Sequence, residues 1–164
     1  MFESTLMNLL FAFASVSAGV LAGIYGIFSN TVMPALAASP DKTAVRVMQD
    51  INRLIVNPLF LLFFMGSALA SITLLILAGL TGQLTWLTAI ASVMLSATLF
   101  TTIGINVPLN NALKETTLDS TTRDGTNLPT LWQHYLDRWV RWNHIRAILC
   151  ALSAFLYALA ASGI

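Results

Sequence analysis

The fold of this chain is decided by residues 54–113, which read LIVNPLFLLFFMGSALASITLLILAGLTGQLTWLTAIASVMLSATLFTTIGINVPLNNAL and contain no Asp, Glu, Lys or Arg. A transmembrane helix needs about 20 apolar residues, because the hydrocarbon core is about 30 Å thick and a helix rises about 1.5 Å per residue. These sixty residues are enough for two such helices and a turn at Gly79–Gln83. The stretch therefore predicts a membrane-spanning helical hairpin.

Charged residues outside this stretch are concentrated in two blocks. All eight Lys and Arg residues of the chain lie within Lys42–Arg53 or Lys114–Arg146. The uncharged runs 4–40 and 147–164 are each long enough to form most or all of one more span. We therefore predict an all-α fold, an integral membrane four-helix bundle forming a single domain over residues 1–164, with spans at about 6–32, 59–80, 86–107 and 142–162.

Proline marks three of the predicted span boundaries, because it lacks the N–H that a helix interior needs. Asn57-Pro58 is typical of a helix start, with asparagine as the N-cap and proline in the first turn. Pro34 and Pro108 come late in their apolar runs. We therefore predict that the first span ends at Met33-Pro34 and that the third ends at Pro108.

Two amphipathic juxtamembrane helices are predicted, one in each charged block. Ser39 is placed as the N-cap of the first, in which apolar residues recur at helical spacing: Ala44, Val47, Met48, Ile51 and Ile55. Leu128-Pro129 opens the second, which runs into the fourth span. Between them, residues 114–125 are almost wholly polar and are predicted to be mobile. The sequence leaves open whether these helices lie flat on the bilayer or fold over the bundle as a lid.

The distribution of cations predicts the orientation in the membrane. With four spans, the two charged loops lie on one side and both termini lie on the other. Cytoplasmic loops are enriched in Lys and Arg. We therefore predict a protein of a bacterial inner membrane with both termini outside the cytoplasm. The acidic Glu3 and the long apolar run after it predict an uncleaved first span rather than a signal peptide.

Composition excludes several classes of protein. Charged residues make up 9% of the chain and the mean hydropathy is +0.78, whereas soluble domains carry about 25% charged residues. A net charge of +1, with acids among the basic residues, argues against a nucleic-acid partner. The single cysteine, Cys150, allows no internal disulfide. Two histidines ten residues apart, His134 and His144, provide no metal-binding motif, so no metal site is predicted.

Polar residues recur at the ends of the spans that face the charged loops. They comprise Gln49, Asn52, Arg53 and Asn57 before the second span, Asn106 and Asn110 at the end of the third, and Asn143, His144 and Arg146 in the fourth. The predicted topology places them all at one membrane depth. Because ionisable residues at the edge of the hydrocarbon usually face a bundle interior or a cavity, the set predicts a shared polar pocket.

Each of these residues also has a purely structural explanation. Asparagines cap helix ends, arginines extend to the headgroups, and tryptophans form interfacial belts. His144, among tryptophans, fits a hydrated interfacial histidine. For single residues the structural explanation is favoured, and for the whole set a functional site is favoured. In the first span Gly19, Gly23 and Gly26 favour close helix packing over a flat ligand-binding surface.

Five short segments follow one another at characteristic spacing: Val32–Pro34, Met48–Arg53, Asn57–Phe60, Asn106–Asn110 and Trp139–Arg146. In order and spacing they resemble the anthrone oxygenase-like family of small membrane proteins. The resemblance covers about Gly23–Arg146, and its most specific part is the pair of segments Asn106–Asn110 and Trp142–Arg146. It implies a membrane oxygenase that converts anthrones to anthraquinones with molecular oxygen and uses no metal or flavin.

The chemistry of an anthrone suggests roles for the residues of the predicted pocket. Its doubly benzylic C–H is acidic for carbon, and removing that proton gives an enolate that reacts with oxygen directly. His144 is the candidate base, and Asn106, Asn143 and Arg146 are the candidate donors to the enolate oxygen. The remaining candidates bind substrate: Gln49, Asn52, Arg53, Phe60, Asn110, Trp139 and Trp142, with Arg53 and Asn110 as further possible donors. No cofactor is expected.

Three functional hypotheses stay open. The first is an oxygenase or oxidoreductase acting on a lipophilic aromatic or quinone-like molecule. The second is a non-catalytic small-molecule binding or permease-like protein that uses the same pocket. The third is an accessory subunit whose glycine face packs against a larger partner. In each case the lipid bilayer surrounds the protein, and a homo-oligomer remains an open alternative.

Overall fold

The computed structural model describes residues 2–117 and 127–162, without the side chains of residues 2–4, and all regular secondary structure in these ranges is helical. The α-helices are α1 (Phe2–Ile27), α2 (Met33–Ala37), α3 (Asp41–Leu54), α4 (Pro58–Leu80), α5 (Trp86–Thr101), α6 (Val107–Lys114) and α7 (Leu128–Ala161). The segment predicted to be mobile falls largely on residues 118–126, outside the described ranges.

Four helical rods are long and apolar enough to cross a bilayer: Thr5–Ala37, Pro58–Leu80, Trp86–Lys114 and Leu128–Ala161. The predicted all-helical fold with four membrane-spanning helices is therefore confirmed. The fourth rod is a single helix, so the second amphipathic helix runs into the fourth span as predicted.

The first and third rods continue through the prolines that were predicted to end them. A π-helical turn over Phe28–Val32 joins α1 to α2, and a second over Thr102–Asn106 joins α5 to α6. One residue separates each π-helical turn from the next proline. Pro34 and Pro108 are each the second residue of the α-helix that follows the turn. The prediction that the helices end at Met33-Pro34 and Pro108 is therefore wrong, and the span bounds of about 6–32 and 86–107 stay a prediction.

The π-helical turns explain why proline is tolerated there. In a regular α-helix the proline ring clashes with the carbonyl four residues earlier. Here the N–H of Met33 bonds to the carbonyl of Phe28 and the N–H of Val107 bonds to the carbonyl of Thr102, each five residues back. The wider turn shifts the carbonyls ahead of the proline, so the rod continues past it.

Local capping accounts for the remaining boundaries. The side chain of Asn57 accepts a hydrogen bond from the N–H of Phe60, as expected of an N-cap. After α4, Gly82 has a φ of +68° and the N–H of Gln83 bonds to the carbonyl of Ala78, which is a Schellman ending. Ser39 is not the N-cap of α3. Its hydroxyl donates to the carbonyl of Ala35 in the preceding helix, and Pro40 occupies the cap position.

The four rods form a ring in the order α1, α4, α5, α7, in which each rod packs against its two neighbours. Small and aliphatic side chains fill the centre, including Ala14, Ala18, Leu21, Leu74 and Leu95. The glycines of α1 do not share in this packing, because a Cβ added at Gly19, Gly23 or Gly26 would meet nothing within 4 Å. The close packing predicted for them therefore does not occur among the described residues.

A second apolar cluster covers one end of the ring. In it α3 lies against α2, α6 and α7 rather than apart from the bundle. Its buried residues are Ala44, Val45 and Met48. The predicted apolar face therefore differs from the observed one, because Val47 is exposed and Val45 is buried in its place. The arrangement makes α3 a lid over the bundle, which answers the question that the sequence left open.

Candidate functional site

A cavity of about 250 Å³ lies beneath the lid, inside the end of the bundle that faces the charged loops. Every rod of the ring, together with α3, contributes to its wall. Seven of the residues proposed from sequence line it: Asn52, Phe60, Asn106, Asn110, Trp139, Asn143 and Arg146. The rest of the lining is mainly apolar, so the cavity resembles a site for a small lipophilic molecule with few polar groups.

Arg146 supplies the charge in the cavity and is 5% exposed. Its Nη1 donates to Oγ1 of Thr102 at 3.0 Å, and its Nη2 donates to Oδ1 of Asn143 at 2.6 Å. The guanidinium carbon lies 4.4 Å from the centre of the Tyr25 ring and 5.6 Å from that of the Trp139 ring. These contacts hold the guanidinium in place through neutral partners and aromatic faces only.

No carboxylate neutralises this buried cation within the described residues. The cavity lining contains no Asp or Glu, and the one ion pair in the described part of the chain joins Arg53 to Asp50 at the surface. Moving an unpaired charge out of water costs several kcal/mol even after relaxation. The Nε of Arg146 also has no acceptor among the described residues. The arrangement is that of a site prepared for a negatively charged oxygen.

Asn143 orients the guanidinium and is itself held firmly. It is fully buried, and its Nδ2 donates to the carbonyl of Tyr25 at 2.7 Å and to Oγ of Ser29 at 2.6 Å. These bonds direct Oδ1 toward Arg146. Ser29 lies on the first π-helical turn and Thr102 on the second, so both turns present groups to the Arg146 cluster.

Asn106 has no partner of its own. It is 1% exposed and lines the cavity from the second π-helical turn. Neither its Oδ1 nor its Nδ2 forms a hydrogen bond within the described part of the chain. Buried polar atoms are normally paired, and an unpaired one costs about 1–3 kcal/mol. Asn106 therefore has both a free donor and a free acceptor at the cavity wall.

Aromatic side chains define the flat walls of the cavity. Phe60 and Phe64 stack with ring centres 5.6 Å apart and planes 11° apart. On the other side, Oδ1 of Asn110 accepts from the hydroxyl of Tyr135 and from Nε1 of Trp139, both at 2.9 Å. Asn110 thus fixes the tryptophan that faces both the cavity and Arg146.

The lid is secured by Gln49. Its Nε2 donates to the carbonyl of Leu113 at 2.8 Å and to that of Thr116 at 3.2 Å, which ties α3 to the end of α6. Met48, Ile51 and Asn52 of the same helix line the cavity. The position of α3 therefore determines whether the cavity is closed on the loop side.

Four of the residues proposed from sequence are not among the lining residues: Gln49, Arg53, Trp142 and His144. The Arg53 side chain is exposed and pairs with Asp50, and Trp142 is half-buried elsewhere on α7. His144 is exposed and its Nδ1 lies 2.9 Å from the carbonyl of Val140. It borders a separate open cleft between α2 and α7. The structure thus brings Asn143 and Arg146 into the cavity and leaves His144 outside it.

Three residues that contact Arg146 or Asn143 were not proposed from sequence: Tyr25, Ser29 and Thr102. A sequence signal for two of them exists, because Ser29 and Thr102 stand five and six residues before a proline inside an apolar span. Polar side chains just ahead of such a proline indicate a local break in the helix that presents them to a bundle interior. No comparable signal points to Tyr25.

Among the described residues no group of three or more His, Cys, Asp or Glu side chains could hold a metal ion. The polar groups that the cavity offers are amides, hydroxyls and one guanidinium. The guanidinium, the amide nitrogens and the hydroxyls can all donate hydrogen bonds, and the fixed positive charge of Arg146 favours an oxyanion.

Comparison with curated proteins and comparison with solved structures both find no match. The family model described as anthrone oxygenase matches residues 55–156. The matched range includes Phe60, Thr102, Asn106, Asn110, Trp139, Asn143 and Arg146 of the cavity, while Tyr25, Ser29 and the lid precede it. Since the match spans more than half of the chain, this membrane protein belongs to the anthrone oxygenase family.

Proposed function

We propose that this protein is a membrane oxygenase that oxidises a lipophilic aromatic substrate with an enolisable, anthrone-like carbonyl, using molecular oxygen without a metal or flavin. Family membership supports the reaction class. The observation that carries the proposal is the buried guanidinium of Arg146, which has no carboxylate partner in the described residues and lines an otherwise apolar cavity.

The reaction balances without a further reductant. Loss of a proton from the methylene carbon gives an enolate, which transfers electrons to oxygen and forms a C–O bond, leaving a hydroperoxide on that carbon. Loss of the second C–H proton and cleavage of the O–O bond then give the new carbonyl. One oxygen atom remains in the quinone, and the other leaves as water with the two hydrogens.

Arg146 stabilises the charge that develops on the carbonyl oxygen in the first step. A fixed cation in a site that excludes water is worth more than one in water, and it needs no reorganisation during the reaction. Asn143 holds the guanidinium in position, and the free Nδ2 of Asn106 is a second donor. Phe60 and Trp139 supply flat apolar walls for the aromatic rings.

The described lining residues include no carboxylate or imidazole that could accept the proton. We propose that Arg146 makes such a base unnecessary by lowering the pKa of the substrate. An opposite charge within about 4–6 Å lowers the pKa of an acid by about 1–3, so the site favours the substrate as its anion, whose proton has passed to water outside the cavity. The base role of His144 stays a prediction from sequence, and its position outside the cavity does not support it.

Oxygen uptake by purified protein in lipid nanodiscs with emodin anthrone tests the proposal. Arg146→Gln removes the cation and should lower the rate above the protein-free blank by about 10²–10³-fold, as for other lost oxyanion donors. Arg141→Gln on the same helix is the matched control, because Arg141 is exposed and outside the cavity, and it should retain the rate.

Equal rates in the two variants would remove Arg146 from the reaction. A His144→Ala variant that loses turnover while Arg146→Gln keeps it would give the central role to the histidine. The missing base also favours one other function, a binding protein without turnover. That function follows if emodin anthrone binds in an Arg146-dependent manner and no oxygen is consumed above the blank.

We further propose that the protein lies in a bacterial inner membrane with both termini outside the cytoplasm. All eight cations fall in the two loop blocks, which supports a cytoplasmic position for the lid and for the nearby cavity.

A further inference from the structure

The cavity is closed on its loop side. The lid helix α3 buries Met48 above it, and Gln49 ties the lid to the carbonyls of Leu113 and Thr116. Next to the lid, Asn110 binds Tyr135 and Trp139 and closes the gap between α6 and α7. A ligand coming from water would have to displace these contacts.

Between α4 and α6, in contrast, the cavity is open to the outer surface. Three lining residues are themselves exposed: Val56 at 64%, Leu61 at 38% and Val107 at 40%. Val56 and Leu61 flank the start of α4, and Val107 begins α6. A residue that both lines a cavity and reaches the outer surface stands at its mouth. All three are aliphatic, whereas Asn106, Asn143 and Arg146 lie buried inside.

The surface around this mouth is apolar as well. Leu62, Phe100 and Ile103 are exposed on α4, α5 and the second π-helical turn. They lie within the sixty residues without charge, so we expect this surface to face hydrocarbon. The mouth therefore opens sideways into the bilayer, about one helical turn from the charged loops.

We infer that the ligand reaches the cavity from within the membrane, through a side portal formed by Val56, Leu61 and Val107. Its class is a lipid-partitioned amphiphile with a narrow apolar body and one acidic or anionic oxygen, which meets Arg146 at the inner end. The inference rests on the proposed function only in taking the cavity as the binding site, and it does not depend on turnover.

Thiol labelling tests the portal without any substrate. Met48→Cys places a thiol in the cavity, in a Cys150→Ala background that removes the native cysteine. In lipid vesicles, membrane-soluble N-phenylmaleimide should label this thiol. Leu61→Trp and Val107→Trp should each slow that labelling about tenfold or more by raising the steric barrier, and Leu61→Ala should speed it. Leu62→Trp is the matched control, because Leu62 is 53% exposed on the same helix and does not line the cavity.

A water-soluble sulfonate reagent, sodium (2-sulfonatoethyl)methanethiosulfonate, provides the second arm. It should label Met48→Cys at least about tenfold more slowly than Asp50→Cys, which is exposed on the outer face of the same lid. Comparable sulfonate labelling at both positions, or tryptophan variants that fold and leave maleimide labelling unchanged, would overturn the portal. A portal blocked by tryptophan in a protein that consumes no oxygen would instead refute only the oxygenase.

Discussion

At the scale of single residues, three of the asparagines that line the cavity have different roles. Asn143 is saturated with partners and orients Arg146, and Asn110 fixes Trp139. Asn106 has no partner among the described residues although it is almost fully buried. An unpaired buried polar atom costs stability, and Asn106 has two of them at the wall of the cavity. Asn106 therefore offers a ligand a free donor and a free acceptor, and the Nδ2 of Asn52, also unpaired among the described residues, offers a further donor.

Replacing Asn106 should separate stability from binding. In Asn106→Leu the two unpaired polar atoms disappear. The free energy of unfolding should therefore stay the same or rise by up to about 3 kcal/mol, and the thermal midpoint should hold or rise with it. Affinity for emodin, measured by quenching of protein fluorescence, should fall at the same time. Asn143→Leu is the comparison, because it breaks bonds to Tyr25 and Ser29 and should lower the midpoint. Equal destabilisation by both changes would mean that Asn106 is structural.

The positions of neighbouring residues on α7 show which of them face the cavity, which the residue type alone does not determine. Trp139, Asn143, Arg146 and Cys150 recur every three or four residues and all face inward. His144 follows Asn143 directly, so it lies about 100° further around a helix with 3.6 residues per turn. The chemistry of an imidazole favoured His144 as a catalytic base, but the helical period turns it away from the cavity. Applied strictly, that period would have excluded His144 from the sequence alone, but not Trp142, which lies about 40° from Arg146 around the helix.

At the scale of elements, the two π-helical turns are what the sequence rules missed. A proline late in an apolar run is a good sign of a helix end when the helix is regular. Here Phe28–Val32 and Thr102–Asn106 absorb the proline constraint, and the same turns present Ser29, Thr102 and Asn106 to the site. The caps Asn57 and Asn127 were predictable because a local side-chain hydrogen bond determines them.

The lid is the element whose stability can be measured most directly. Gln49→Ala removes both hydrogen bonds that tie α3 to α6, each worth about 0.5–1.5 kcal/mol. Together they are worth about 1–3 kcal/mol, so hydrogen–deuterium exchange of residues 41–54 should become about 5–150-fold faster. Arg53→Ala on the same helix is the control, since exposed ion pairs contribute little. Equally fast exchange in both variants would show that the apolar face of α3, and not Gln49, holds the lid.

At the scale of the whole molecule, the distribution of charge along the sequence predicts the number of membrane spans but not how the helices pack. The uncharged runs give four spans, because lipid excludes charge and a helix satisfies its own backbone. They say nothing about which helices are neighbours in the ring or how far apart their ends lie, since apolar side chains pack in many ways. The cavity arises from that unpredicted part: α3 folds over one end of the ring, so that Asn52 and Arg146 line the same cavity.

The orientation of the molecule decides which leaflet supplies the ligand. All eight cations lie in the blocks that form the lid end, so that end should face the cytoplasm and the side portal should open into the inner leaflet. Alkaline phosphatase fused after Ile164 should be active, because it folds only outside the cytoplasm, and the same enzyme fused after Glu115 should be inactive. Green fluorescent protein at these sites should give the reverse pattern. Active phosphatase at Glu115 with fluorescence at Ile164 would invert the molecule, and the cavity would then draw its ligand from the outer leaflet.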